Sequence, residues 1–312
     1  MGSARISYVL VSRNDAYCGD SVGRLETVIN HTGEILEKYN ALEESEIMVV
    51  DWASPRENGP LRHVLKPTSA AAKILRIAEV PPDMASRHQK DSPFSEVHAM
   101  NVGCRKSSGR YFARIDQDTL IGERFVNWFY DEFEKVDYGF EWPKVAFSGR
   151  RNLSEAQSLN YKDYVFNDAR SRTVAVCHAD NFYSRVLPPG KNMMLFYGGA
   201  VGIMLVERTL FEDLRGFNEE FIYMNNMDTE FLNRLARKTS FYNLGLKVNG
   251  DFYHLNHTRS QGAETDDKQP HSDQTGERKT NPNLIRRGEI PNNNPFDWGL
   301  NSEDISVYSF NE

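Results

Sequence analysis

Apolar segments rich in β-branched residues alternate with segments of helical period along the first third of the chain. The strand-like segments lie at residues 5–12, 46–52, 73–80 and 110–118. The segments with apolar residues near helical spacing lie at residues 21–40 and 95–109. Alternation of this kind builds a mostly parallel sheet with helices on both faces. The pattern therefore predicts an α/β fold of Rossmann-like type.

The second half of the chain has a less regular pattern. Residues 123–136 are rich in aromatics and predict an amphipathic helix, and Val201–Val206 predict a strand. A long helix is expected to begin near Asp228. Residues 248–260 predict one more strand end, and two histidines, His254 and His257, lie within this range.

The C-terminal segment has a different composition. From Ser260 to about Arg287 the chain holds almost no large apolar residue, which predicts a mobile loop or lid. Beyond it, Phe296 and Trp298 are expected to dock the end of the chain back onto the fold. We therefore expect a C-terminal extension added to the α/β fold.

Composition and charge narrow the class of protein. Of 312 residues, 39% are hydrophobic and 26% are charged, which is ordinary for a soluble enzyme. The net charge of −7 argues against nucleic acid as a partner, and a phosphorylated ligand would need local arginines, lysines or a divalent cation. No apolar stretch reaches 18 residues, so no membrane span is predicted, and the first residues lack the apolar core of a signal peptide. Three cysteines without a C-x-x-C pair fit a reducing compartment. The expected location is the cytoplasm.

Polar and acidic residues collect where the predicted strands end. Ser12, Arg13 and Asn14 follow the first strand, Asp51 ends the second, and Asp116 ends the fourth. In an open α/β sheet the ligand binds outside the carboxyl ends of the strands. No G-x-G-x-x-G follows the first strand and no G-x-x-x-x-G-K-[ST] occurs, which argues against dinucleotide dehydrogenases and P-loop enzymes.

Asp116 and Asp118 flank one glutamine directly after the fourth predicted strand. Side chains at positions i and i+2 of a strand project to one face, so the two carboxylates would share one small volume. Like charges at that distance repel unless a cation lies between them, which predicts a metal site. The alternative is a solvated turn after the strand, because acid-x-acid spacing also arises by chance in so acidic a chain.

Taken in order, these segments resemble the GT-A glycosyltransferases, most closely the GT2-like group with a C-terminal half of galactosyltransferase type. The resemblance covers about residues 5–257. Two positions depart from the family pattern: Met100 stands where an arginine is common, and Met227 stands where a glutamate usually precedes the aspartate. The matching segments are YVLVSRND, EIMVVDWASP, EVHAMNVGCRKSSGRYFARIDQD, YGGAVGIMLVERTLFEDLRGFNEEF, MDTEF and HLNH.

The resemblance implies a GT-A fold with two halves and a tail. Residues 1–118 would bind the nucleotide sugar, residues 119–257 would bind the acceptor and carry catalysis, and residues 258–312 would form the mobile loop and tail. The implied partners are a nucleotide-sugar donor, expected to be a UDP-sugar, and a glycan or glycoconjugate acceptor.

The resemblance also implies a metal centre. Asp116 and Asp118 match the family's DxD motif, whose cation, Mn²⁺ or Mg²⁺, stabilises the diphosphate leaving group. A histidine completes such a site, and His254 is the first choice because it follows the strand more directly. His257 is the second candidate, with surface hydrogen bonding as its alternative role.

The first half of the chain would bind the nucleotide. Asp51 would contact the base or ribose, or else cap the following turn. Arg24, near the start of the first helix, is a candidate for the phosphates or a solvated helix residue. The other residues assigned to the nucleotide are Ser12, Arg13, Asn14, Asn101 and Asp116.

The second half would carry the chemistry. Asp228 is the expected catalytic base, at a helix start where the dipole favours the ionised form; helix capping is its alternative role. Glu230 is the alternative base or a ligand of the acceptor hydroxyl. Gly198 and Gly199 would let the backbone approach the donor sugar, or simply form a tight turn. Three aromatic residues are candidates for sugar stacking or for core packing: Trp142, Tyr197 and Trp298.

The leading hypothesis is an inverting, metal-dependent transferase. A retaining transferase is the nearest alternative, since it uses a similar DxD site without a base at Asp228. A sugar-1-phosphate nucleotidyltransferase is less consistent with the segment SRNDAYCGD, which is not the Gly-rich loop that such enzymes carry after the first strand. A nucleotide- or carbohydrate-binding protein with a degenerate site is the non-enzymatic alternative.

Overall fold

The computed structural model describes residues 4–133, 144–167, 186–187, 201–222, 227–239, 241–244, 251–257, 292 and 294–310. Within these residues the strands are β1 (Ile6–Ser12), β2 (Ser45–Trp52), β3 (Leu75–Val80), β4 (Tyr111–Arg114), β5 (Thr119–Ile121), β6 (Val145–Gly149), β7 (Arg151–Asn152), β8 (Val186–Leu187), β9 (Val201–Glu207), β10 (Phe241–Asn243), β11 (Phe252–His254) and β12 (Ser306–Ser309). Nine of them form one sheet in the order β12-β3-β2-β1-β4-β9-β6-β10-β8, and the others form a small sheet in the order β5-β11-β7. The expected α/β fold is confirmed.

The helices of the described residues are α1 (Ser21–Lys38), α2 (Leu61–Val64), α3 (Ser69–Ala72), α4 (Pro82–Ala85), α5 (Glu96–Lys106), α6 (Glu123–Asn127), α7 (Glu155–Leu159), α8 (Tyr161–Asn167), α9 (Arg208–Asp213) and α10 (Met227–Lys238). A short 3₁₀ turn lies at Leu42–Glu44, and a π-helical turn at Trp128–Glu132 continues α6. None of these helices is long and apolar enough to cross a membrane.

Two hydrophobic cores cover the two faces of the large sheet. Successive side chains of a strand point to opposite faces, so Leu10 of β1 packs with Leu25 of α1, whereas Val9 packs with Val102 of α5. Strands buried on both faces read as continuous apolar runs, which explains why the first half of the sequence showed them so clearly.

The strands β3, β2, β1 and β4 run parallel, as expected, and Ser12 pairs with Asp51 in register. Their carboxyl ends therefore lie along one edge of the sheet. The expectation of a mostly parallel sheet is confirmed, because β6 and β10 run in the same direction as these four strands. The exceptions are β9, which runs antiparallel to both β4 and β6, and the strands β12 and β8, which run antiparallel to β3 and β10. Antiparallel neighbours need no crossover helix, and the alternation of strands and helices in the first half gave no sign of them.

Two local expectations hold only in part. The helix expected at 123–136 is present as α6 continued by the π-helical turn at Trp128–Glu132, and residues 134–136 lie outside the described residues. No feature of the sequence indicates the change to π-helical geometry. Of the two aromatics expected to dock the C-terminal segment, Trp298 is buried against Phe211, but Phe296 is 89% exposed. The segment is held instead by Trp298 and by the pairing of β12 with β3, which was not predicted.

The small sheet is tied to the large one through α1. Buried His31 of α1 lies with its Nε2 atom 2.7 Å from the carbonyl oxygen of Ile121 in β5, so Nε2 carries the proton and donates it to that carbonyl. Burial lowers the pKa of His31 from 6.5 to about 4. Folding therefore favours the uncharged ring, and the folded state loses stability as the pH falls below 6.5 because the unfolded chain takes up the proton first.

We expect His31→Gln, which keeps a donor for Ile121, to remove this pH dependence. Between pH 7 and pH 5, wild type should lose about 2 kcal/mol more of its free energy of unfolding than the variant. Asp51 and Asp251, whose pKa values burial raises to about 6, act in the opposite sense but equally in both proteins. Urea denaturation at several pH values measures the difference, with the exposed His63→Gln as the control. Parallel stability curves for wild type and His31→Gln would contradict the assignment.

Candidate functional site

The first two predicted strand ends lie side by side, and their polar groups are held by neighbouring loops. The hydroxyl of Ser12 hydrogen-bonds to the side chain of Gln117, which lies between Asp116 and Asp118 in the sequence. Arg13 forms an ion pair with Asp15 at 2.9 Å and donates to the carbonyl of Pro93. The structure thus places Ser12 and Arg13 at the carboxyl edge, next to the loop that follows β4.

Asn14 and Asp51 organise the loop that follows β2. The side chain of Asn14 donates to the carbonyl oxygens of Asn58 (2.7 Å) and Gly59 (3.0 Å). Asp51 is buried and accepts from the backbone N–H of Leu61 at 2.7 Å and from a nearby serine hydroxyl. These contacts correspond to the capping role that the sequence left open for Asp51.

Asn101 lies inside the fold. It is fully buried in α5, donates to the carbonyl of Phe217 at 2.9 Å, and accepts from the backbone N–H of the same residue at 2.8 Å. Its amide also donates to Glu219 at 3.0 Å. Gly216, at φ +66°, packs directly against Asn101, so a Cβ there would meet its amide oxygen. The described contacts therefore make Asn101 the link between α5 and the loop after α9.

Asp116 and Asp118 lie in a turn and not on a strand. β4 ends at Arg114, and the N–H of Thr119 donates to the carbonyl of Asp116 at 3.1 Å before β5 begins in the small sheet. The expectation that both carboxylates share one volume was therefore wrong, because the i, i+2 rule applies only within a strand. The turn sends the two side chains to different partners.

Asp118 meets the two histidines. Its Oδ1 atom lies 3.1 Å from Nε2 of His254, and its Oδ2 atom lies 3.4 Å from Nε2 of His257. The small sheet creates this proximity, because His254 pairs with Thr119 and the N–H of Leu255 donates to the carbonyl of Asp118 at 2.8 Å. One ligand atom from each of the three side chains lies within 4.8 Å of the others, so they could hold one metal ion.

The donor atoms of this trio fit a metal ion. The Oδ1 atom of Asp118 is buried and accepts no hydrogen bond among the described residues, despite its proximity to His254. Arg24 approaches the other oxygen, with its Nε atom 3.9 Å from Oδ2, while its guanidinium donates to the carbonyls of Tyr17 and Cys18. Arg24 is thus next to the trio, tied to the loop after β1.

Asp116 faces two arginines. Nη2 of Arg114 lies 2.8 Å from Oδ1 of Asp116, and Nη1 of Arg150 contacts Oδ2. In this arrangement Asp116 is not part of the trio formed by Asp118 and the histidines. Its charge is balanced by the two guanidinium groups.

Arg114 also joins the expected base to a buried glutamate. The same Nη2 atom lies 2.8 Å from Oε1 of Glu96 at the start of α5, and 3.5 Å from Oδ2 of Asp228 at the start of α10. Burial raises the pKa of Glu96, the Arg114 charge opposes that rise, and the charge of Asp228 adds to it. Oδ1 of Asp228 is buried and accepts no hydrogen bond among the described residues.

Glu230 is engaged elsewhere. Its two carboxylate oxygens accept from Nε and Nη2 of Arg234, at 2.5 and 2.8 Å, one turn along α10. Arg234 also donates to the carbonyls of Leu214 and Gly216, so the pair fastens α10 to the end of α9. Of the two acids named as candidate bases, only Asp228 carries an unpaired carboxylate oxygen in the described part of the chain.

The remaining candidates divide into two groups. Trp298 is buried under the guanidinium of Arg105, which lies 3.7 Å from its ring centroid, so it packs in the core. Four of the predicted site residues lie outside the described residues: Trp142, Tyr197, Gly198 and Gly199.

Sequence reasoning missed Arg114, Arg150 and Glu96. A usable signal existed for Arg114, since a charged side chain within the apolar run YFARI must find partners when the strand is buried. Glu96 and Arg150 carry no comparable signal, because one opens a helix and the other follows a strand, where charged residues are common.

Comparison with known proteins finds the fold but no sequence relative. No protein-family model and no curated protein matches the chain. S. aureus TarS 1–349 in complex with UDP-GlcNAc matches with a TM-score of 0.52 and 14% identity, over 84% of this chain and 61% of that one. A second structure of S. aureus TarS 1–349 matches with a TM-score of 0.50 and 15% identity, over 80% of this chain and 60% of that one.

A mannosyltransferase, PcManGT from Pyrobaculum calidifontis in complex with GDP-Man and Mn²⁺, is a weaker match, with a TM-score of 0.46 and 14% identity over 83% of this chain and 59% of that one. The chain spans about 60% of the length of these solved structures. At such low identity the likeness to TarS shows the fold alone, and the chain shares the mixed α/β fold with a large central sheet that TarS has.

Proposed function

We propose that this protein is a metal-dependent glycosyltransferase that moves a sugar from a nucleotide sugar to a hydroxyl group of a glycan or related acceptor, with inversion at the anomeric carbon. The observation that carries the proposal is the trio of Asp118, His254 and His257 at the carboxyl edge of the sheet. In the same loop, Asp116 is linked through Arg114 to Asp228.

The donor class rests on the fold and on the position of the trio. TarS, which shares the fold, has been solved with UDP-GlcNAc, and this supports a UDP-sugar as the donor here. The carboxyl edge is where α/β sheets of this kind bind their ligands. The resemblance of the motifs supports the same assignment for Ser12, Arg13, Asn14 and Asp51.

The trio fits Mn²⁺ better than Mg²⁺. Two imidazoles and one carboxylate suit a transition ion, whereas Mg²⁺ prefers oxygen ligands and retains water. When bound, such an ion would stabilise negative charge on the diphosphate leaving group. We therefore propose that Asp118, His254 and His257 hold Mn²⁺, with Asp116 available to the donor once the arginines release it.

Asp228 would act as the general base. Its unpaired Oδ1 atom would accept the proton of the acceptor hydroxyl while the hydroxyl oxygen bonds to the anomeric carbon. The bond from that carbon to the diphosphate oxygen breaks in the same step, and its electron pair stays with the nucleoside diphosphate. Arg114 would hold the carboxylate of Asp228 from the other side, because its Nη2 atom lies 3.5 Å from Oδ2.

A thermal-shift experiment with wild-type protein tests the proposal. UDP together with Mn²⁺ should raise Tm by about 5 °C at a UDP concentration 100 times Kd, with smaller shifts for either alone. Release of UDP from UDP-GlcNAc should also require Mn²⁺. A larger shift with GDP would overturn the donor class, a shift that does not need metal would overturn the metal role, and binding without turnover would identify a binding protein instead.

A further inference from the structure

Arg114 occupies an unusual place for a cation. It is the last residue of β4, its side chain is 6% exposed, and β9 covers it on one side through the pairing of Arg114 with Met204. Its Nη1 atom lies 3.4 Å from the carbonyl of Val201. A buried guanidinium must be compensated, and three carboxylates from three separate elements do so here.

All three carboxylates meet at one nitrogen. Nη2 of Arg114 lies 2.8 Å from Glu96, 2.8 Å from Asp116 and 3.5 Å from Asp228. The charged groups around this point also include Arg150, which contacts Asp116, and Asp118, whose charge acts on Arg114 through space. The cluster thus contains three carboxylates that contact Arg114 and a second guanidinium group, that of Arg150, which contacts Asp116.

The three carboxylates are held to different degrees. Glu96 and Asp116 make the short contacts with Arg114, and Asp116 has a second arginine. Asp228 makes the longest contact, and its other oxygen accepts no hydrogen bond among the described residues. Arg114 can therefore orient the carboxylate of Asp228 through Oδ2 while Oδ1 keeps its accepting capacity.

We propose that Arg114 is a positioning residue that fixes the carboxylate of Asp228 for proton transfer, with Glu96 as the buried counter-charge that holds the guanidinium in place. The proposal rests on the proposed function, because it assigns Arg114 a role in that same reaction. Arg114 acts through Asp228 and need not touch either substrate.

A double-mutant cycle separates this role from two others that Arg114 could have, a general structural role and an action through Asp116. Arg114→Lys keeps the charge, but its single nitrogen lies one bond nearer the backbone than Nη2 and it has no second nitrogen to donate to the carbonyl of Val201, so it cannot hold the carboxylate of Asp228 in the same position. We expect kcat for UDP release in the presence of acceptor to fall by 10- to 100-fold, with the donor KM and the Kd for UDP unchanged within about twofold.

The decisive measurement uses Asp228→Asn as background. If Arg114 acts through Asp228, adding Arg114→Lys to Asp228→Asn should lower the residual rate by less than twofold. An equal loss in both backgrounds would overturn the proposal and indicate a general structural role. A raised donor KM that persists in the Asp228→Asn background would also overturn it and indicate that Arg114 acts through Asp116.

Two further variants test whether a loss of kcat comes from the position of Arg114 or from damage to the fold. Glu96→Gln should lower kcat in the same manner but more weakly, because Arg114 keeps its other partners. Arg76→Lys is the matched control, since Arg76 pairs with buried Glu46 at 2.6 Å near the opposite ends of the strands, and its activity should not change. If wild type releases no UDP from the donor, the proposed function fails; if it does and the cycle is additive, only the role of Arg114 fails.

Discussion

Asp228→Asn is expected to abolish sugar transfer while UDP binding stays intact. A general base contributes about 10²- to 10⁴-fold to such a step, so kcat should fall by that factor. The amide keeps the size of the side chain and its position at the start of α10, but it cannot take up the proton from the acceptor. The rate of UDP release with acceptor and the Kd for UDP, measured side by side, check the prediction.

Glu230→Gln is the control for this variant. Glu230 lies two residues along the same helix, but its carboxylate is paired with Arg234, so its loss should lower Tm and leave kcat at low temperature within a few-fold of wild type. Turnover near the wild-type rate in Asp228→Asn would contradict the inverting assignment and favour a retaining reaction. A kcat loss in Glu230→Gln equal to that in Asp228→Asn would contradict the choice of base.

Asp118→Asn and His254→Ala are expected to weaken Mn²⁺ binding so far that the metal-dependent activity is lost. Each substitution takes one of three ligand atoms from the trio, so the affinity for Mn²⁺ should fall by at least about 100-fold, since loss of an outer-sphere partner alone costs 10- to 100-fold. The Mn²⁺-dependent part of the thermal shift with UDP should disappear in both variants. Titration with Mn²⁺ measures the affinity directly when binding is followed by the paramagnetic increase in the relaxation rate of water protons.

His63→Ala and Asp116→Asn are the matched controls for the metal site. His63 is an exposed histidine remote in sequence from the trio, and its loss should change nothing. Asp116 is held by Arg114 and Arg150, so Asp116→Asn should retain Mn²⁺ binding without nucleotide. Retention of the Mn²⁺ effect in Asp118→Asn would contradict the trio as the metal site.

The hydrophobic pattern predicted the sheet well where strands are buried on both faces. β1 and β2 contain the apolar runs YVLV and IMVV, β3 alternates less regularly because of Arg76 and Glu79, and the carboxyl ends of all three strands lie along one edge. The pattern failed for β12, a short strand with the sequence SVYS whose side chains are mostly exposed. Short edge strands bury little, so their sequences carry little hydrophobic signal.

The candidate site was predictable in its residue types but not in its pairings. The resemblance named Asp118 and His254, and the structure brings them together. The i, i+2 spacing placed Asp116 and Asp118 in one volume, which fails because both follow the end of β4 and the turn gives their side chains different partners. The position of Arg114 between Glu96 and Asp228 depends on three elements far apart in sequence, and spacing alone contains no information on such a contact.

The pairing of β12 with β3 places the last of the described strands at the outer edge of the large sheet. During synthesis β3 emerges early, whereas β12, which pairs with this edge among the described residues, is made only when the chain reaches residue 306. An unpaired edge beside apolar core strands is prone to associate with other chains. We therefore expect the nascent protein to depend on chaperones for most of its translation, and variants that weaken β12 to reduce yield more than they reduce the activity of the molecules that fold.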